Sequence, residues 1–388
     1  STDPARRGER RAPPATTRVA LRGAAVLNRD APSGGRPRGG RHGGDMARTI
    51  RREERPMSNL QLSLILGAND RSQPIIDGRV RPDSIDLMVT TAHPSEIFWR
   101  QLKFQEFDIS EMSLSSLLII TARGESPWVA LPIFTMRQFF HTGFLVRTDA
   151  GIETPADLKD KRVGVPEYQQ TAALWTRGIL QHEFGVPPEA MIWYMERTEE
   201  RSHGGATGFE PPPGLRFHRI PAHENIGTLL LKGELDAAAH YLPTVNLVDR
   251  AGMDLTGNPL IRTLFPDPLA EGARYFQKTG IFPINHCMVV RRSILERHPW
   301  VAINLYEAFL AAKDRVIARA REQADVYFRL GWLPLEARRT VRSDDPFPYG
   351  VKANRHVLET IAQYSHEQGL TPRVLDLEEI FAPSTLEL

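Results

Sequence analysis

The chain has 388 residues, of which 41% are hydrophobic and 25% charged, and its formal net charge is +2. That length holds two domains of ordinary size, and that composition excludes a coiled coil, a repeat array and a wholly disordered protein. The charge is unevenly placed: residues 1–56 hold 14 Arg and no Lys against 6 acidic residues, an excess of 8 that leaves the remainder at −6. The basic balance therefore belongs to the tail and argues no nucleic-acid partner for the rest of the chain.

Residues 1–56, with PARRGERRAPP and PSGGRPRGGRHGG, are dense in Arg, Gly and Pro and poor in apolar periodicity. We expect them to be a disordered extension ahead of a working protein that starts near Met57. Their best apolar run, residues 19–27, is interrupted by Arg22 and is too short and charged for the core of a secretion signal. No run reaches the roughly 18–20 apolar residues of a membrane span. The single cysteine, Cys287, rules out an internal disulfide and reads as a buried structural thiol. Together these features predict a cytoplasmic protein with no membrane contact.

From residue 60 the chain alternates strand and helix signals. Residues 60–66 (LQLSLIL) and 85–89 (IDLMV) predict strands, and Ile97, Phe98, Leu102 and Phe107 recur at helical spacing. A strand then gives way to the apolar helix 114–120, with Glu111 and Ser113 at the junction, where they serve either a ligand or the helix cap. Residues 129–134 and 143–146 predict further strands, flanking Arg137 and His141. This β-α-β-α order predicts a mostly parallel sheet with ligands at the carboxyl ends of its strands.

The segment 154–180 repeats that logic: a short polar helix over 157–161, a strand over 162–165, a turn over 166–170 and a helix opening at Thr171. The unpaired N–H groups of that helix start either cradle a carboxylate or belong to an ordinary strand-turn-helix unit of an α/β domain. Residues 201–214 read as a loop without a phosphate-binding glycine pattern. A helix over 221–232 with Pro221 at its first position leads to a strand over 235–240 that ends at His240, either a ligand contact or a solvated loop residue. In GIFPINHCMVV, residues 288–290 predict a strand with Asn285 and His286 at its beginning. SILE at 293–296 has the form of a capping box, and Pro299 opens a long helix. His and Glu pairs are scattered without HExxH or any Cys/His ligand spacing, so no metal site is expected.

The segments EFDISEMSLSSLL, ALPIFTMRQFFH, DLKDKRVGVPEYQQTAALWTRGIL, FPINHCMVVRR, HPWVAINLYEAF and DPFPYGVKANRHVLETIAQYSHEQGL, in this order, resemble those of the 4,5-dihydroxyphthalate decarboxylase family. The resemblance spans essentially all of residues 57–388. It implies a two-lobed type 2 periplasmic-binding-protein-like α/β fold with a ligand cleft between the lobes. Chain order then assigns 57–145 with 288–388 to lobe one and 146–287 to lobe two. It also implies cofactor-free, non-oxidative decarboxylation of a hydroxylated aromatic dicarboxylate. Such a site needs an acid for the ring carbon, a base for a hydroxyl and an anchor for the spectator carboxylate. Motif position suggests His286 as acid and Glu111 as base. Arg137, Ser113, His141, Tyr168, Gln169, Thr171, His240 and Asn285 are then the substrate-binding set. The opposing expectation is a solute-binding protein that captures a small organic anion for an ABC transporter. The lack of a secretion signal favours the enzyme, and a homo-oligomer is compatible with either reading.

Overall fold

The computed structural model describes residues 58–388 apart from 125 and 341–344. The expectation of disorder over residues 1–56 lies outside the described residues.

The first apolar run forms β1 (Leu60–Leu66), which pairs in parallel with β2 (Ile85–Thr91) in unbroken register from Leu60–Ile85 to Leu66–Thr91. Leu64, Ile65 and Leu66 are fully buried, and each such side chain contributes about 1.5–3 kcal/mol relative to exposure. β1 also pairs in parallel with β3 (Ile109–Ser113). All five residues of β3 are buried although three are polar, a pattern that packing alone does not call for. β4 (Trp128–Arg137) follows the apolar Leu114–Ala122 helix.

The chain then builds a second sheet from β5 (Leu145–Arg147), β6 (Arg162–Val165), β7 (Ile192–Met195), β8 (Phe217–Arg219), β9 (Ala237–Ala238) and β10 (Ile261–Thr263). Their order is β10-β5-β9-β6-β7-β8. It returns to the first sheet through β11 (Ile284–Arg291), which inserts antiparallel between β3 and β4 to give β2-β1-β3-β11-β4. The chain thus crosses between the sheets twice, after β4 and before β11, as the two-lobed fold requires.

The Thr171–Phe184 helix begins at the expected residue, and its first ten residues are buried. Its Trp175 indole donates to the Ile284 carbonyl at 2.8 Å, fixing the start of β11 against the helix. Gly185 ends it in the left-handed region, at φ +70°.

Several local expectations differ from the structure. β11 begins at Ile284, so Asn285 and His286 lie within the strand; their polarity interrupted the apolar run that marked it. The 221–232 helix starts at Ile226, because the Asn225 side chain accepts the Thr228 N–H and caps it there. The 201–214 loop holds a short His203–Thr207 helix capped by Ser202. Ser293 lies inside the Arg292–Arg297 helix and makes no capping box, since β11 runs directly into that helix.

Candidate active site

The β3–β11 register sets His286 opposite Ser113 and Met288 opposite Glu111. Alternation along both strands then puts Glu111, Ser113 and His286 on one face. There His286 Nδ1 lies 2.7 Å from Glu111 Oε1. Thr135 Oγ1 donates to the same oxygen at 2.7 Å, and the Gly67 N–H donates to Oε2 at 2.6 Å. Gly67 is needed at this approach, since a Cβ there would meet Pro94 Cγ at 3.0 Å and Glu111 Oε2 at 3.1 Å.

Glu111 is 2% exposed and His286 6%. Burial pushes the Glu111 carboxyl up, but the bond from His286, the imidazolium charge and the Thr135 and Gly67 donors outweigh it and hold the group below its ordinary value. A carboxylate that accepts at Nδ1 fixes the imidazole with Nδ1–H inward and leaves Nε2 for the cleft. Asn285 Nδ2 stands 2.8 Å from Nε2, and the edge of Phe98 packs against the ring at 4.6 Å between centroids.

The cleft in front of His286 has about 540 Å³ of atom-free space, part of it open to solvent. Ser113 and Thr171 join its two sides through a hydroxyl–hydroxyl contact of 2.9 Å, and Thr171 Oγ1 also accepts the Ser115 N–H at 2.9 Å. Ser113 precedes the Leu114–Ala122 helix but makes no side-chain cap bond, so capping does not explain it. The Thr171–Phe184 helix likewise starts on Gln170 without a side-chain cap, and Gln170, Thr171 and Ala172 at its N-terminus line the cleft. The Pro94–Phe104 helix opens on the same space through Pro94 and Ser95.

A wall absent from the sequence reading centres on Arg197. Its Nε bonds Asp249 Oδ1 at 2.6 Å, Nη1 bonds Glu167 Oε2 at 2.6 Å and Nη2 donates to Ser95 Oγ at 2.8 Å. His203, 3.2 Å from Glu167, completes the cluster. No sequence signal marked Arg197, because its partners lie 30 and 52 residues away in a run that reads as a charged surface.

Of the residues expected at the site, Ser113, Thr171, His240, Asn285 and His286 line the cleft, with Glu111 directly behind His286. His240 sits there at φ +59°, edge-on to Phe140, and burial pushes its imidazole down to about 4. Four expected residues are placed elsewhere. Arg137 donates to the carbonyls of Phe282 and Pro348 and to Asn354 Oδ1. His141 pairs with Glu271 at 3.2 Å among Phe265 and Tyr275. Tyr168 packs under Arg177, with the guanidinium 3.6 Å from its ring centroid. The buried Gln169 side chain turns to a separate pocket beside Gly204. Cys287 is buried, and its thiol is pushed up by that burial, as a structural cysteine should be. Among the described residues no three His, Cys, Asp or Glu side chains form a metal-ligating group, and no helix is long and apolar enough to cross a membrane.

A buried carboxylate–imidazole pair thus stands beside a cleft that the uncapped start of the Thr171–Phe184 helix also lines, in an α/β frame of two sheets. No family model matches the chain. It is 36% identical over 333 residues to 4,5-dihydroxyphthalate decarboxylase of Comamonas testosteroni, covering 85% of this chain and 99% of that protein. It is also 36% identical over 227 residues to the protein of that name from Pseudomonas putida, covering 58% of this chain and 85% of that one. The chain belongs to the 4,5-dihydroxyphthalate decarboxylase family. Among solved structures it is similar to the aliphatic sulphonate binding protein SsuA of Escherichia coli, at 14% identity and TM-score 0.46 over 84% of this chain and 92% of that one. The desulfurization enzyme DSZB matches at 15% identity and TM-score 0.44 over 85% of this chain and 98% of that one.

Proposed function

We propose that the chain is a carboxy-lyase that converts 4,5-dihydroxyphthalate to protocatechuate and CO2 without a cofactor. The observation that carries this reading is the Glu111–His286 pair, with His286 lining the cleft and Glu111 behind it. Protonated His286, with the Asn285 amide turned so that Oδ1 rather than Nδ2 faces Nε2, delivers the Nε2 proton to the ring carbon that bears the leaving carboxylate. The carbon–carboxylate bond then breaks, its electron pair restores the aromatic ring, and CO2 departs. The hydroxyl para to that carbon supplies electron density. Once the ring carbon is protonated this hydroxyl is strongly acidic, so a weak base suffices, and neutral His240 is our assignment.

Glu111, which motif position made the base, has both oxygens hydrogen-bonded and does not reach the cleft. It acts through His286, orienting the ring and stabilising the imidazolium. The spectator carboxylate is held by the Thr171 and Ala172 N–H groups with the Ser113 and Thr171 hydroxyls, in place of Arg137. We take the lobes to be 57–145 with 288–388, and 146–287. Membership of β1–β4 and β11 in one sheet and β5–β10 in the other supports that division.

The test is to incubate purified protein with 4,5-dihydroxyphthalate and follow CO2 release together with the ultraviolet spectrum of protocatechuate. Stoichiometric release supports the enzyme. Binding without release overturns it in favour of solute capture.

A further inference from the structure

A second polar cluster lies behind the catalytic pair, on the far side of Thr135. Arg71 Nη2 donates to the Thr135 carbonyl at 2.6 Å, and its guanidinium carbon sits 4.0 Å from the Phe347 ring centroid. Two residues along β4, Arg137 is 8% exposed and donates to the carbonyl of Pro348 at 2.7 Å and to Asn354. The next residue, Tyr349, is 5% exposed, and the buried Lys313 ammonium lies 5.1 Å from its ring centroid. The buried Arg137 and Lys313 and the half-buried Arg71 therefore gather in one region.

Among the described residues, no carboxylate pairs with Arg71 or Arg137. Asp345 is already engaged through both oxygens, Oδ2 by Lys313 and Oδ1 by the Phe347 N–H at 2.8 Å. Asp314, 3.4 Å from Lys313, faces solvent. Meanwhile Arg71 Nε, Arg137 Nε and Tyr349 Oη are all buried and meet no partner in hydrogen-bond geometry. A buried donor without an acceptor is costly, and an uncompensated buried cation more so. Water would satisfy the donors but not the charge. An anion satisfies both. Burial holds the Arg137 guanidinium down to about 10; Tyr349 and Asp345 oppose that shift in part, and neighbouring Arg71 adds to it.

We propose that Arg71, Arg137 and Tyr349 form a binding site for one small monovalent anion, of which chloride and bicarbonate share the required size and charge. The site is distinct from the cleft and independent of the reaction assigned there. Arg71 links it to the catalytic pair, since the Thr135 that takes its donor also hydrogen-bonds Glu111.

The experiment is thermal unfolding of the whole chain titrated with sodium chloride, or with sodium bicarbonate in a second arm, against sodium gluconate at constant ionic strength. The expected result is a saturable rise in Tm of about 5 °C with the small anion and none with gluconate. Tyr349→Phe, which removes a hydroxyl and leaves the ring, should lose most of that rise, as should Arg71→Gln. The stronger of the two anions identifies the ligand. Crystals soaked in bromide should show anomalous density against Arg71 Nε and Arg137 Nε. Equal rises with gluconate, an undiminished rise in Tyr349→Phe, or water in place of bromide at these donors would each overturn the proposal.

Discussion

His286 and Glu111 come from strands 175 residues apart in the chain, yet Nδ1 and Oε1 stand 2.7 Å from each other across adjacent antiparallel strands. The contact couples the imidazole to a carboxylate that is not among the residues lining the cleft. Glu111→Gln keeps the size of the side chain and removes the charge. It should lower kcat by about 100-fold or more while substrate affinity, measured by equilibrium titration, stays close to wild type. A kcat within a few-fold of wild type would mean that the carboxylate is structural.

Thr171 accepts a buried N–H and, in the proposed site, also holds the spectator carboxylate, and a pair of variants separates the two. Thr171→Ala removes the acceptor of the buried Ser115 N–H and should cost about 1–3 kcal/mol in urea unfolding. It should also raise KM more than it lowers kcat, because the contact to the spectator carboxylate persists from substrate to product. Thr171→Ser, which keeps the hydroxyl, should restore both. If serine restores stability but not KM, the hydroxyl does not hold substrate.

Arg137 tests the distinction between motif position and geometry. Its Nη donors are committed to Phe282, Pro348 and Asn354, so Arg137→Ala removes the donors to these acceptors. We expect a loss of about 3 kcal/mol or more in urea unfolding, with KM near that of wild type in whatever fraction remains folded. A large rise in KM with unchanged stability would return Arg137 to the site as an anchor.

Much of the fold was legible because apolar runs set it. Residues 60–66 and 162–165 form strands where periodicity put them, and Thr171 opens its helix because Ala172, Ala173, Leu174 and Trp175 all bury. The site was legible in part. Glu111 and His286 stand out as polar residues in apolar segments, and the structure joins them. What the sequence could not carry was direction. Arg137 and His141 point away from the cleft, and nothing in their neighbours along the chain encodes that. Arg197 was invisible for the converse reason: it is surrounded by charge in sequence and buried against Glu167 and Asp249 in space. β11 was shortened because Asn285 and His286 look like a strand's edge when they are its functional interior.

His141 gives the protein an acid-sensitive element outside the cleft. Burial pushes its imidazole down to about 4 from an ordinary 6.5, the Glu271 carboxylate opposing only part of that shift. Between those values the unfolded chain takes up a proton that the folded chain does not. Stability is therefore full above pH 6.5 and lost as pH falls toward 4, by about 3 kcal/mol at most from this residue. Urea unfolding at pH 7.5 and 4.5 should show a smaller difference in His141→Gln than in wild type, even though half-buried His240 adds a loss of the same sign to both. Equal differences in the two proteins would contradict the assignment.

The most direct measurement is kcat for CO2 release from 4,5-dihydroxyphthalate by wild type and by His286→Ala, with substrate Kd determined for both. Proton delivery to the ring carbon occurs only in the transition state, so its loss should lower kcat by about 100- to 10,000-fold with little change in Kd. If His286→Ala turns over at close to the wild-type kcat, the imidazole is not the acid and the account of the site fails.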